Sequence, residues 1–171
     1  MSEYRTLLVP YDFSDHARAA LVVAVEFAGR LAADLHLLHV VQTPVYATPG
    51  YDGVPLTLPA GFREAVTDSL RRVVETAGGG ALRPIVSHVI EGANIAEGIS
   101  RTAEEIGADL IVMGTNGRSG LLHALLGSVA ERTLRLASCP VLSVRARDGE
   151  ASEFPLSRAA DESSQIGRAH V

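Results

Sequence analysis

The chain contains no lysine; all 15 of its basic residues are arginine. That absence removes Schiff-base chemistry. It also removes any phosphate-binding loop built on Gly-Lys-Ser/Thr. A GC-rich genome is enough to explain it, but the consequence stands: a phosphate bound here must be held by backbone N–H groups and arginine. Cysteine is nearly absent as well. Cys139 is the sole example, so neither an internal disulfide nor a zinc ribbon can form, and a cytoplasmic location fits. No apolar run reaches the roughly 18 residues that a membrane-spanning helix needs. Met1 to Arg5 lack the basic-then-apolar pattern of an export signal. Basic charge is not in surplus either. The formal net charge is −5, which argues against a nucleic-acid or anionic-membrane surface as the main partner.

What is present reads as one globular domain. Apolar residues make up 47% of the 171 and charged residues 20%, which excludes wholesale disorder. Arg5 to Pro10 is a short apolar run closed by proline, the pattern of a buried strand. Ser14 is placed to cap a helix, and Ala17, Leu21, Ala24, Ala28 and Leu31 then recur as one apolar stripe to about Ala33. Leu35 to Val41 gives a second strand. Gln42 to Pro59 carries too many prolines and glycines for a regular element and reads as a long loop. Phe62, Val66, Leu70, Val73 and Ala77 stripe a second helix, ended by Gly78-Gly79-Gly80. Ile85 to Ile90 is a third strand, and Ile95, Ile99, Ala103 and Ile106 stripe a third helix ended by Gly107. Leu110 to Met113 is a fourth strand. Ser128 opens a fourth helix to about Ala137, and Pro140 to Val144 forms a fifth strand.

Strands without a polar face, alternating with amphipathic helices, call for an open parallel α/β sheet with helices on both faces. From Arg147 to Val171 periodicity is lost, and the segment reads as a disordered tail following a domain over residues 1–146. Its end, Ile-Gly-Arg-Ala-His-Val, is what a widely used sequencing-adapter string encodes. It is expected to be a read-through artefact standing in place of the true C-terminus.

The stretch that carries chemistry runs from Gly114 to Ser128 and reads G-x2-G-x9-G-S, between a buried strand and a helix. A loop leaving the carboxyl end of a parallel strand lies where ligands bind in open α/β sheets. Glycines let the backbone approach a polyphosphate and take positive φ. The helix opening at Ser128 offers unpaired N–H groups and a positive dipole end, and oriented amides replace the missing lysine. Each part alone also has a purely structural use. Gly114 serves as a strand end, Gly117 and Gly120 as turn residues, and Ser128-Val-Ala-Glu131 as a capping box. The combination in the right context favours a phosphate site.

The glycine spacing, the preceding Ala-Asp-Leu-Ile-Val-Met-Gly at 108–114 and Val-Pro-Tyr-Asp-Phe-Ser-Asp at 9–15 resemble the universal stress protein family. The glycine pattern is that of its ATP-binding members, and the resemblance spans roughly residues 3 to 146. It implies an adenine-nucleotide-binding fold, adenine nucleotide alpha hydrolase-like, of five strands in the order 3-2-1-4-5. In that order the first and fourth strands lie side by side, and a ligand belongs between their ends; Pro10, Asp12 and Gly114 fall there. The resemblance further implies that Gly114, Thr115, Asn116, Gly117, Arg118, Ser119 and Gly120 cradle ribose and phosphates. Gly127, Ser128, Val129 and Ala130 would meet phosphates at the helix start. Pro10 and Asp12 would flank the nucleoside, and Val40 would touch adenine. The ligand would be ATP, ADP or cyclic AMP with Mg²⁺, which Asp12 would help hold through water. Tyr11 departs from the small or β-branched residues common at its position.

Other candidates are weaker. His36 and His39 point to opposite faces of a strand and cannot chelate together; His39 reads as a satisfied core or rim histidine. His123 is a loop histidine, Cys139 a buried structural thiol, and the Gly78–Gly80 run follows a helix, so it is no dinucleotide fingerprint. No catalytic triad or carboxylate pair falls at the strand ends. The favoured function is a nucleotide-binding stress-response regulator with little or no ATPase activity. An ATP-pyrophosphatase-type enzyme of the same fold class and a nucleotide-free dimeric scaffold are the alternatives. The enzyme's Ser-Gly-Gly-x-Asp-Ser loop is absent after the first strand. The fifth strand, Pro140 to Val144, is a bare apolar edge, so a homodimer through it is expected, with Leu142→Pro removing a ladder donor.

Overall fold

The computed structural model describes residues 4–43, 58–78, 83–115 and 126–146. Along them run β1 (Thr6–Pro10), α1 (Asp15–Leu31), β2 (Asp34–Gln42), α2 (Phe62–Gly78), β3 (Ile85–Gly92), α3 (Ile95–Ile106), β4 (Leu110–Gly114), α4 (Ser128–Leu136) and β5 (Val141–Val144). The five strands form one parallel sheet in the order β3-β2-β1-β4-β5. Val9 lies opposite Leu37 and Leu8 opposite Ile111, which fixes the frame around β1. The tail from Arg147 lies outside the described residues.

Alternation along the strands builds two cores. Leu7, Val9, Leu35, Leu37 and Val112 face α1 and α2, meeting Ala20, Leu21, Ala24 and Leu70. Leu8, Leu38, Ile111 and Met113 face α3 and α4, meeting Ile99, Ala103 and Ala130. A strand buried on both faces has no polar side to show, which is why β1 and β4 read as unbroken apolar runs.

The helix starts follow local chemistry. Ser14 caps α1, its hydroxyl accepting from Ala17 N at 3.2 Å. Asn94 does the same for α3 toward Glu97 N, and Gly107 ends that helix at φ +64. Leu31 belongs to the predicted α1 stripe but is 45% exposed. The helix stops there, and Ala32 turns left-handed at φ 51, which carries the last residue off the sheet.

Gly114 has a packing reason of its own. A Cβ there would lie 2.8 Å from the carbonyl carbon of His16 and 2.9 Å from its oxygen. The first turn of α1 therefore rests directly on the end of β4, and only glycine leaves room.

At the other edge the structure corrects the ladder expectation. The carbonyls of Pro140 and Val144 accept from Ile111 N and Thr115 N at 3.0 and 2.9 Å. Strand alternation then turns the peptide groups of Leu142 toward β4. Val141 and Ser143 present theirs outward, so Leu142 is not the edge donor.

Candidate functional site

β1 and β4 are neighbours in the sheet, but their continuations part. β1 leads to α1 on one face, and β4 leads on to α4 on the other. The divergence leaves a crevice beyond the strand ends. A cavity of about 580 Å³ occupies it, a volume suited to a small organic ligand.

Nine of the residues picked out in the sequence line this cavity. Pro10 and Asp12 come from the end of β1, Val40 from β2, and Gly114 and Thr115 from the end of β4. Gly127, Ser128, Val129 and Ala130 come from the start of α4. Asn116, Gly117, Arg118, Ser119 and Gly120 lie outside the described residues, as does His123.

On the β1 side, Asp12 Oδ1 accepts from Ser14 N at 3.1 Å, an Asx turn that ties the carboxylate to the helix cap. Among the described lining residues Asp12 is the only carboxylate. Tyr11, the departure from the family pattern, sits in the core at 4% exposure. Burial pushes its phenol up to about 12, so it stays protonated at physiological pH.

On the β4 side, Thr115 joins three pieces. Its N–H donates to Val144 O at 2.9 Å, and its carbonyl accepts from Gly127 N at 2.7 Å. Its hydroxyl, on a residue 9% exposed, has no partner among the described residues. Helix α4 departs from the capping-box expectation. The cap is Gly127, at φ −69 and ψ 153, and Ser128 is the first helical residue. Glu131 turns away from the cap to bond Arg135 at 2.7 Å. Glycine has no side chain to satisfy the first-turn N–H groups, so the helix presents them and its dipole to the cavity. The opposing walls are apolar, with Ile95, Ile99 and Met113 among them. An anion at the helix end joined to a flat apolar body along these walls is what such a shape accommodates.

Sequence reasoning missed Leu58, Phe62, Ile95 and His39 as wall residues. Nothing local marks them, because α2, α3 and β2 reach the crevice only after the sheet is assembled. It also missed His88. His36 Nδ1 lies 2.9 Å from His88 Nε2 across the β2–β3 pair, with the ring planes 12° apart. Burial lowers both imidazoles below their ordinary range, and each His36 proton is further opposed by His88 and favoured by Asp34, which Arg83 engages. The α3 residues turned to this face are apolar: Ile99, Ala103 and Ile106.

Folded values lie below the unfolded one of about 6.5, so the unfolded chain binds more protons as pH falls through that value. Stability is full above it and declines below it. We expect the melting temperature to drop by a few degrees from pH 7.5 to 5.5, and by less in His36→Gln. Parallel pH profiles for the two proteins, read by thermal melts, would remove the pair from the account.

Comparison with known proteins bears on the whole described region. The sequence model of the universal stress protein family matches residues 3–145. A universal stress protein of Methanocaldococcus jannaschii is 34% identical over 142 residues, covering 83% of this chain and 82% of that protein. Among solved structures, universal stress protein UspA from Lactobacillus plantarum superposes with a TM-score of 0.71 at 27% identity, over 85% of this chain and 100% of that one. A universal stress protein crystallised in complex with cAMP superposes at 0.64 and 25% identity, over 85% and 100%.

Proposed function

The chain belongs to the universal stress protein family, and from that premise we propose that its cavity takes an adenine nucleotide and that the protein is a nucleotide-dependent stress regulator with little or no turnover. The observation that carries this reading is the N-terminus of α4, capped by glycine alone, opening on the crevice between β1 and β4. The cAMP complex of a structural relative supports it. In this reading Pro10 and Asp12 flank the nucleoside, Val40 meets adenine, and the N–H groups of Ser128, Val129 and Ala130 take phosphate oxygens. Asn116 to Gly120 complete the cradle, and the unpartnered Thr115 hydroxyl supplies a further donor. Among the described residues no cluster of three His, Cys, Asp or Glu side chains is placed to hold a metal ion. Asp12 alone fits only an ion that takes most of its ligands from phosphates and water, as Mg²⁺ does.

The test is direct. Nucleotide released from purified protein by denaturation is identified chromatographically, and ATP, ADP and cyclic AMP are titrated by calorimetry. No released nucleotide and no binding at millimolar concentration would overturn the reading.

Turnover is expected to be slow, below about 1 s⁻¹. The wall's only described carboxylate already accepts from Ser14, and no described lining residue is a lysine or arginine. Fast phosphoryl transfer needs a positioned base and cations on the transferring group. A steady-state ATPase assay above that rate would contradict this.

The reading includes a homodimer through the outer edge of β5, where Val141 and Ser143 leave peptide groups for a twofold-related copy. Sedimentation at micromolar concentration should give twice the 18.0 kDa chain mass. Ser143→Pro should shift it to the monomer, whereas Leu142→Pro attacks the ladder to β4 and lowers stability instead. A wild-type monomer would end the dimer proposal.

A further inference from the structure

The turn between β1 and α1 is backbone-strained at a residue that is not glycine. Phe13 stands at φ 65, a region that a bulky L-residue enters only when its surroundings hold it there. Three contacts do so. Tyr11 N donates to Leu38 O at 2.7 Å, tying the turn to β2. His39 Nδ1 lies 2.7 Å from Tyr11 O; a carbonyl only accepts, so Nδ1 carries the hydrogen and donates. The Phe13 ring packs on His39 at 5.1 Å between centroids and edge-on to Tyr11 at 5.3 Å. Between the two aromatics stands Asp12, a residue that lines the cavity and whose Oδ1 accepts from Ser14 N.

We propose that His39 is a positioning residue for the ligand site: its Nδ1–H clamps the Tyr11 carbonyl and its ring supports Phe13, fixing the strained turn that presents Asp12 to the bound nucleotide. The proposal rests on the nucleotide reading above. The free turn would relax Phe13 out of the left-handed region, and with it the peptide on either side of Asp12. His39 thus acts through the turn and not by contact with phosphate. It belongs to β2, so the sheet's own pairing sets where the clamp stands.

The experiment compares affinities for ATP in His39→Leu, His39→Asn, Asp12→Asn and the Asp12→Asn/His39→Leu double variant. Each is measured well below its melting temperature. Losing the bond should weaken ATP about fivefold to tenfold in His39→Leu. His39→Asn, whose amide nitrogen stands where Nδ1 does, should recover most of it. In the Asp12→Asn background the leucine change should add little, because both act through one carboxylate. Nitrogen-15 NMR of the wild-type protein should show the His39 hydrogen on Nδ1. Wild-type affinity in His39→Leu, additivity in the double variant, or no recovery with asparagine would overturn the proposal. So would a hydrogen on Nε2 with Nδ1 bare, whatever the variants' folding. Failure of the wild-type protein to bind any adenine nucleotide is a different result and defeats the functional reading itself.

Discussion

Gly114→Ala is expected to destabilise the protein by about 2 kcal/mol or more, and Gly114→Val to prevent folding. The added Cβ meets the backbone of His16 at 2.8 Å, and backbone does not rotate aside as a flexible side chain would. The first turn of α1 has no slack to give. It is capped by Ser14, and His16 itself accepts from Ala146 N at 3.1 Å through Nδ1. Relief would require moving the helix off β4 and opening the core beneath Ala17 and Ala20. Chemical denaturation measures this, and a midpoint equal to wild type would show that α1 does not sit where the structure puts it. A practical point follows: lost nucleotide binding in a Gly114 variant says nothing about ligand contact unless the fold is shown intact.

Gly127→Val should behave oppositely, with the fold retained and nucleotide affinity reduced by about a hundredfold or more. Its φ of −69 and ψ of 153 suit any L-residue, so the expectation that this glycine serves a positive φ is corrected. The remaining reason is space, since a branched side chain at the cap would stand at the mouth of the first turn. Gly127→Asp sharpens the contrast. A carboxylate there caps the first-turn N–H groups and should hold or raise stability, while it repels an incoming phosphate. Calorimetric titration beside a thermal melt reads both. Unchanged affinity in either variant would remove the α4 terminus from the binding account.

These two glycines show how the sequence informs and where it falls short. Both stood out through one motif, yet one is required by a helix 98 residues earlier, from Gly114 back to His16, and the other by nothing in the backbone. The helical stripes of α1 and α3 were legible because each repeats over several turns of a single segment. So were the two-faced strands β1 and β4, whose runs have no polar side. The Ser-x-x-Glu pattern points to Ser128 as the cap, because serine usually is one. The actual cap is its neighbour, and that difference leaves the helix end open. The direction of the Leu142 peptide, the His36–His88 pair and the His39 clamp each depend on register between strands, which no local pattern states. The wall residues Leu58 and Phe62 depend on where a helix starts after a proline-rich stretch.

Thr115 closes a ring at the end of the sheet. Its carbonyl receives the Gly127 N–H at 2.7 Å while its own N–H is fastened to β5. The chain therefore leaves the sheet and returns to it at almost the same point, like a bay with a closed mouth. The entropy of closing such a bay grows only logarithmically with its length. Insertions between residues 116 and 125 should then cost the scaffold little, up to Leu126, which packs against the core under α3 and α4, and a lineage or a designer can lengthen the stretch beside the crevice without renegotiating the fold.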